Sequence, residues 1–346
     1  MEKLITGGWT LSDLNSGKIG DEKNQLKVFS CFHCGGGSTM GYKLAGFDVV
    51  GGVEIDPKMM GIYRANHSPK HSFQMPIQEF KNIPYEKLPK ELFELDILDG
   101  SPPCSSFSMA GKREKKWGRA HAFREGQAVQ HLDDLFFDFI DVAKKLQPKV
   151  VVAENVKGLI SGNARGYVKQ IFAKLNEAGY SVQLFLLNAS RMGVPQTRER
   201  TFFIANKLEK KMKLDFNEEI ISVHCAIGSL IPTGKTNITE STELLWRKCA
   251  MGRQLSSVHV TGARFNWNRL HKDLPSPTIA STNAKMKLHY YEPRSLGDNE
   301  LSRLQSFPDD FNFLNEKPGY VLGMSVPPFM AHRVARQIKI QLFPAR

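Results

Sequence analysis

Leu26 to Ile55 reads LKVFSCFHCGGGSTMGYKLAGFDVVGGVEI. The apolar run Leu26 to Phe32 breaks into Gly35-Gly36-Gly37, and Met40 to Ala45 begins a helix behind it, so the stretch reads strand, glycine turn, helix. Val49 to Ile55 is a second strand ending in the acidic Glu54, seventeen residues after the last of the three glycines. Nucleotide-binding βαβ units are built this way. Glycine lets the backbone approach a ligand, and an acid ending the second strand accepts hydrogen bonds from ribose hydroxyls.

The alternation continues downstream. Leu95 to Leu98 is a strand running into Gly100-Ser-Pro-Pro-Cys104, and Leu132 to Leu146 carries apolar residues at the spacing of an amphipathic helix. Val150 to Ala153 is a strand that delivers Glu154 and Asn155 at its end. Ile171 to Ala178 is helical, and Val182 to Leu187 and Thr201 to Ala205 are strands. The expected fold class is α/β: a mostly parallel sheet flanked by helices, Rossmann-like, with ligands bound beyond the carboxyl ends of the strands. From Asn206 to about Tyr291 the chain turns irregular and basic, which predicts a second, smaller domain. Val326 to Ile340 is helical again and opens with Pro327-Pro328, where proline costs no hydrogen bond. The expected division is residues 1–205 plus 322–346 against 206–321. Met1 to Gln25 suggests no function.

Formal charge is 47 − 35 = +12. Gly111 to Gly126 holds six Lys/Arg against two acids, and Asn206 to Tyr291 thirteen against seven, so these two windows carry +10 of it. Two basic stretches suit a polyanion gripped from two sides, although surface lysines kept for solubility would look the same. No long apolar run marks a membrane helix, and Met1 to Gln25 lacks the basic-then-apolar order of a secretory signal, so a cytoplasmic protein is expected. Five cysteines, an odd number, fit reduced thiols. Cys31-Phe-His-Cys34 has the spacing of a zinc or redox pair, but only the distant His224-Cys225 could complete a zinc site, so no metal is expected.

Six blocks then occur in order: Phe32-His-Cys-Gly-Gly-Gly37, Gly100-Ser-Pro-Pro-Cys-Ser-Ser-Phe-Ser108, Glu154-Asn-Val156, Gln196-Thr-Arg-Glu-Arg200, Arg303-Leu-Gln-Ser-Phe-Pro308 and Gly323-Met-Ser-Val-Pro-Pro328. In this order they make the chain resemble the C5-cytosine-specific DNA methyltransferases of bacteria and phages. Amino-methylating relatives carry an aromatic residue after Pro-Pro, where this chain has Cys104. The resemblance implies transfer of a methyl group from S-adenosylmethionine to carbon 5 of a cytosine flipped out of duplex DNA, with Cys104, Glu154, Arg198 and Arg200 catalytic.

The residue types fit that chemistry on their own. Carbon 5 of cytosine is a poor nucleophile until something adds to carbon 6, and an activated thiolate such as Cys104 can add there. An inert buried thiol is the other reading of Cys104. Glu154, desolvated at a strand end, would stay protonated and serve ring nitrogen 3; the other reading is a structural carboxylate paired with a nearby arginine, and both can hold in one site. Arg198 and Arg200 would point the same way if the strand from Thr201 continues backwards through them. By resemblance they orient Glu154 and the cytosine carbonyl oxygen.

For the methyl donor the resemblance implies Phe32 against the adenine, Gly36 and Gly37 at the amino-acid end, and Glu54 at the ribose. Ile55, Pro103 and Leu135 line the pocket, and Ser325 with Val326 closes it. Three positions depart from the family: Cys34 replaces its first glycine, Pro76 an aspartate that meets the adenine amino group, and Met324 an asparagine. Weaker donor binding is the expected result.

Ser105, Ser108, Lys112, Arg113, Lys116 and Arg119 follow the nucleophile with Gly111, Gly118 and Gly126 as hinges, and are expected to close over the flipped nucleotide and meet phosphates. A plain surface loop is the alternative. By resemblance 206–321 recognises the target sequence. Duplex DNA is the expected partner of a monomer, with a partner restriction endonuclease left open. Two rival functions are a transfer-RNA cytosine-5 methyltransferase, whose Cys-Phe-Thr signature is absent here, and a catalytically lapsed DNA-binding homologue.

Overall fold

A computed structural model describes residues 7–103, 134–160, 165–262 and 265–344, together with the backbone of 120–121 and 130–131. The chain forms two compact units. The larger comprises Gly20–Leu187, Glu199–Asp215 and His332–Arg346; the smaller comprises Met1–Ile19, Asn188–Arg198 and Phe216–Ala331.

The larger unit is built on seven strands: β1 (Lys27–Cys31), β2 (Asp48–Glu54), β3 (His71–Gln74), β4 (Ile97–Gly100), β5 (Val150–Val156), β6 (Ser181–Asn188) and β7 (Glu199–Asn206). Their spatial order is β3-β2-β1-β4-β5-β7-β6. The pairs β1–β2, β1–β4, β2–β3 and β4–β5 are parallel, and β7 runs antiparallel to β5. The helices α1 (Gly37–Leu44), α2 (Pro57–His67), α3 (Ile77–Asn82), α4 (Leu135–Leu146) and α5 (Arg165–Glu177) connect the strands. This is the expected mostly parallel sheet flanked by helices.

Strand order reverses beside β1, with β2 on one side and β4 on the other. In open α/β sheets that switch point opens the ligand crevice beyond the carboxyl ends. The glycine turn after β1, the Pro-Pro turn after β4 and Glu154 on β5 all lie at that end. The core beneath them is apolar and aromatic. From α4, Leu135, Phe136, Phe139, Ile140 and Ala143 pack on Phe29, Leu98, Val151 and Phe203 of the sheet. Each of these side chains except Ala143 contributes about 1.5–3 kcal/mol on burial. Gly100 is required by this packing, because a Cβ there would lie 2.5 Å from Phe139 Cε2.

The smaller unit has short elements, among them the helices Val223–Ile227 and Glu240–Lys248, capped by the Ser222 and Thr239 side chains. Trp246, Cys249, Leu255 and Leu288 form its local core. The Arg269 guanidinium stacks 3.9 Å over the Trp246 ring and donates to the Cys249 and Tyr290 carbonyls, so both side chains act inside the unit.

The units and the expected division differ in their bounds, each time for a visible reason. Residues 7–19 belong to the smaller unit. Trp9 Nε1 donates to the Ser306 carbonyl at 3.2 Å, its ring stacks on Phe329, and Asp310 accepts from the Leu11 and Ser12 amides. Gln196 joins the same unit through Gln305 and Ile279. Residues 206–215 stay with the sheet, where Gln183 and Gln341 exchange hydrogen bonds with the backbones of Met212 and Lys213. Among the described residues no helix is long and apolar enough to cross a membrane.

Candidate active site

The turn between β1 and α1 winds through left-handed backbone at Phe32 (φ 55), Cys34 (φ 51) and Gly36 (φ 88). Three such residues curl the chain tightly and aim backbone N–H groups inward. Gly36 is demanded twice, by its φ and because a Cβ would sit 2.1 Å from His67 Nε2.

A clamp from α2, unread in the sequence, holds the curl. The His33 ring stacks on Tyr63 at 3.6 Å, and Tyr63 lies 4.9 Å from His67. His33 Nδ1 donates to the Cys34 carbonyl at 3.0 Å, and His67 Nε2 donates to the Gly35 carbonyl at 3.1 Å. Burial pushes the two imidazoles down to about 4 and about 3, so both are neutral at physiological pH. Their stabilising contribution is full above about pH 6.5 and is lost as pH falls through those lower values. α2 itself starts where Asp56 accepts from the Lys58 and Met59 amides ahead of Pro57.

Glu54 faces the curl from the end of β2. It is buried, and burial raises its pKa against the opposing effect of the backbone amides it accepts from. Cys34 N lies 3.1 Å from Oε2 and Asp56 N 3.0 Å from Oε1. A carboxylate offers about four acceptor positions, so room remains for ribose hydroxyls. Phe32 and Ile55 are half-buried at the same end, Gly37 opens α1, and Leu135 is fully buried beneath. A nucleoside-bearing donor therefore fits here. Pro76 does not supply the usual partner for the adenine amino group: its carbonyl receives the Glu79 and Phe80 amides and its ring has no acceptor.

Cys34 occupies a conformation that costs an L-residue about 1–2 kcal/mol. Cys34→Gly is expected to leave thermal stability unchanged or higher, because relief of that strain offsets the entropy glycine adds to the unfolded chain. Cys34→Val should lose about 1–2 kcal/mol, since a branched Cβ fits that backbone worst. Thermal denaturation of both variants is the check, and a glycine variant less stable than the valine one would refute the strain.

The opposite wall is formed by β5 and β7. Glu154 ends the apolar part of β5 and is buried, with Arg200 Nε 2.9 Å from its Oε1. The arginine pairing of the second reading of Glu154 is present, and it can hold in one site with the acid role of the first. Arg200 also donates to the Glu199 carbonyl, and burial lowers its pKa against the favourable charge of Glu154. Asn155 Nδ2 donates to the Pro102 carbonyl at 3.0 Å, and Thr201 Oγ1 donates to the Asn155 carbonyl at 3.1 Å. The Pro-Pro turn is thus tied to the strand that carries Glu154. Pro103 is half-buried in that turn. Cys104, Ser105, Ser108, Lys112, Arg113, Lys116 and Arg119 lie outside the described residues, as do Gly111, Gly118 and Gly126.

One expectation needs correction. Arg198 and Arg200 do not share a strand, because β7 begins at Glu199. Arg198 belongs to the smaller unit, where its Nη1 donates to the Ile279 carbonyl and its Nη2 to the Gly323 and Ser325 carbonyls. The backward extension fails because Gln196–Thr197 pairs instead with Ser276–Pro277. Within the same unit Ser325 is buried, its hydroxyl donating to the Val321 carbonyl; Val326 is buried beside it, and Met324 is exposed.

A family model described as C-5 cytosine-specific DNA methylase matches residues 26–340. The chain belongs to this family. A Type II methyltransferase of Haemophilus parahaemolyticus, M1.HphI, is 32% identical over 337 residues, 90% of this chain and 86% of the relative. M.NgoPII of Neisseria gonorrhoeae, also a Type II methyltransferase, is 29% identical and covers 91% of this chain and 96% of its own. Among solved structures, a candidate DNA modification methyltransferase from an E. coli prophage superposes with a TM-score of 0.71 at 20% identity, covering 92% of this chain and 99% of that one. The S. pombe Dnmt2 methyltransferase gives 0.62 at 15% identity, over 91% and 99%. Both share the fold. The protein is a C-5 cytosine DNA methyltransferase by family.

Proposed function

We propose that this methyltransferase modifies a cytosine flipped out of duplex DNA, through a transient bond between Cys104 and carbon 6 of the ring. The observation that carries the reading is the Asn155–Pro102 hydrogen bond beside the Glu154–Arg200 pair. It couples the turn two residues before Cys104 to the group that would serve ring nitrogen 3.

Flipping costs about a few kcal/mol, offset by contacts in the pocket. The Cys104 thiolate adds its electron pair to carbon 6, and the displaced π electrons reach nitrogen 3, which takes a proton from Glu154. Arg200 holds the Glu154 carboxyl in place and keeps the resulting carboxylate paired. Carbon 5, now enamine-like, is a nucleophile. Bound S-adenosylmethionine supplies a methyl group on an electron-poor sulfonium. The proton on carbon 5 then leaves to water, its electron pair re-forms the ring double bond, the C–S bond breaks to regenerate the Cys104 thiolate, and nitrogen 3 returns its proton to Glu154.

Glu54, Phe32, Gly36, Gly37, Ile55, Pro103 and Leu135 hold the donor in this reading. Arg198 acts as a positioning residue through the carbonyls it holds. Ser105, Ser108, Lys112, Arg113, Lys116 and Arg119 contact the DNA, and the smaller unit reads the target sequence. Phosphate neutralisation by the basic segments predicts affinity that falls steeply with salt.

The test is a duplex carrying 5-fluorocytosine at the target, which bisulfite sequencing of host DNA identifies first. Fluorine cannot leave as the proton does, so the adduct should persist and map by mass spectrometry to the peptide of Cys104. A methylated product without any trapped adduct would overturn the covalent route. Parallel assays on transfer RNA decide the rival substrate.

A further inference from the structure

Asp99 is a buried acid that the steps above leave unused. It stands on β4, five residues before Cys104, and is 4% exposed. Its Oδ2 accepts from Ser30 Oγ on β1 at 2.8 Å and from Ser38 Oγ in the first turn of α1 at 2.9 Å. Its Oδ1 accepts from Tyr42 OH, one turn further along α1, at 3.2 Å. Three hydroxyls from two elements therefore converge on one carboxylate, joining the start of α1 to β1 and β4.

No cationic side chain pairs with Asp99 among the described residues. The other titratable groups acting with it are Glu154 on β5, Cys31 on β1 and Tyr63 on α2, none of them a cation. Burial lifts its pKa to about 6 despite the three hydroxyls, and the Glu154 charge adds to the lift. Ionised at physiological pH, Asp99 thus works against folding, its burial offset only in part by the three hydroxyls. Perturbed acids cluster at functional sites, where a cationic ligand can bring the missing counter-charge.

We infer that Asp99 is the electrostatic partner of a cationic methyl donor: it positions the glycine turn through Ser30, Ser38 and Tyr42, and its charge favours a sulfonium over the neutral thioether left after transfer. The inference rests on S-adenosylmethionine being the donor. It adds a means of telling donor from spent product, because S-adenosylmethionine and S-adenosylhomocysteine differ by one methyl group and one positive charge. Ligand exchange after each turnover gains from that difference.

The experiment is calorimetric titration of wild type and Asp99→Asn with both compounds at pH 7.5. The amide keeps the size and polarity of the side chain and removes the charge. Expected is a loss of about tenfold in affinity for S-adenosylmethionine, the factor that corresponds to 1.4 kcal/mol, with S-adenosylhomocysteine changed by less than about threefold. The free variant should melt no lower than wild type at pH 8, since a folded-state pKa raised above its unfolded value means stability is lost as pH climbs through about 6. Equal losses for both compounds, with a lower melting temperature, would mean a structural role only and overturn the inference. A wild type that binds neither compound would overturn the donor assignment itself, and this inference with it.

Tyr42→Phe provides an independent arm should Asp99→Asn not fold. Removing one donor disfavours the Asp99 carboxylate and shifts its ionisation to higher pH, so the acid limb of the affinity ratio between the two compounds should move to higher pH than in wild type. His33 and His67 stay neutral across that range, and Glu54 acts on the ribose of both compounds and cancels in the ratio. A ratio independent of pH in both proteins would overturn the inference.

Discussion

Cys104→Ser should abolish methyl transfer, by at least about 10⁴-fold in kcat, while duplex DNA binding stays within a few-fold of wild type. The size follows from what the sulfur does. A free thiol ionises near pH 8.5 and can be activated further, whereas a serine hydroxyl offers almost no anion at neutral pH. Without addition at carbon 6 the target carbon never becomes electron-rich, so no other group recovers part of the rate, and losses on removal of a covalent nucleophile reach this scale. Binding is spared because phosphate contacts come from basic side chains. Transfer of labelled methyl groups to duplex DNA, beside a mobility-shift titration, reads both quantities. Wild-type turnover from the serine variant would sink the nucleophile assignment.

The strand, glycine turn and second strand of Leu26 to Ile55 were legible because a buried parallel strand reads as an apolar run and glycines break it sharply. Glu154 could be placed for the same reason, at the end of Val150 to Ala153. α2 escaped notice although Asp56-Pro57 signals a helix start, because Tyr63 and His67 face the glycine turn and blur the apolar stripe. β3 is a short, half-exposed edge strand with no alternation to read. Trp9 lies in the stretch Met1 to Gln25 that suggested no function, because the partners of its ring and indole N–H, Phe329 and the Ser306 carbonyl, are about 300 residues away.

The site divides the same way. Residue types and order announce Glu54, Glu154 and Arg200, since their chemistry is local to strand ends. Asp99 was silent because Ser30, Ser38 and Tyr42 become its partners only after β1 and β4 pair. Arg198 misled, since two arginines two residues apart suggest one strand face, and only the pairing of Gln196–Thr197 with Ser276–Pro277 reveals the break.

The Glu154–Arg200 pair yields the second large effect and separates holding from chemistry. Both side chains are largely buried, so Arg200→Ala leaves Glu154 buried without its cationic partner and should cost about 3 kcal/mol of stability. Glu154→Gln removes the charge and keeps the shape, so its stability cost should be about 1 kcal/mol. Adding Glu154→Gln to Arg200→Ala should then recover most of the lost stability, because the uncompensated charge is gone and the two positions couple strongly. Activity should follow another course. Glu154→Gln alone should lower kcat by about 10²–10⁴-fold, the usual span for a positioned proton donor, and the double variant should be no more active than it. Chemical denaturation and single-turnover methylation on the same four proteins give the two cycles. If activity returned along with stability in the double variant, Glu154 would be a structural carboxylate and the proton for nitrogen 3 would have to come from elsewhere.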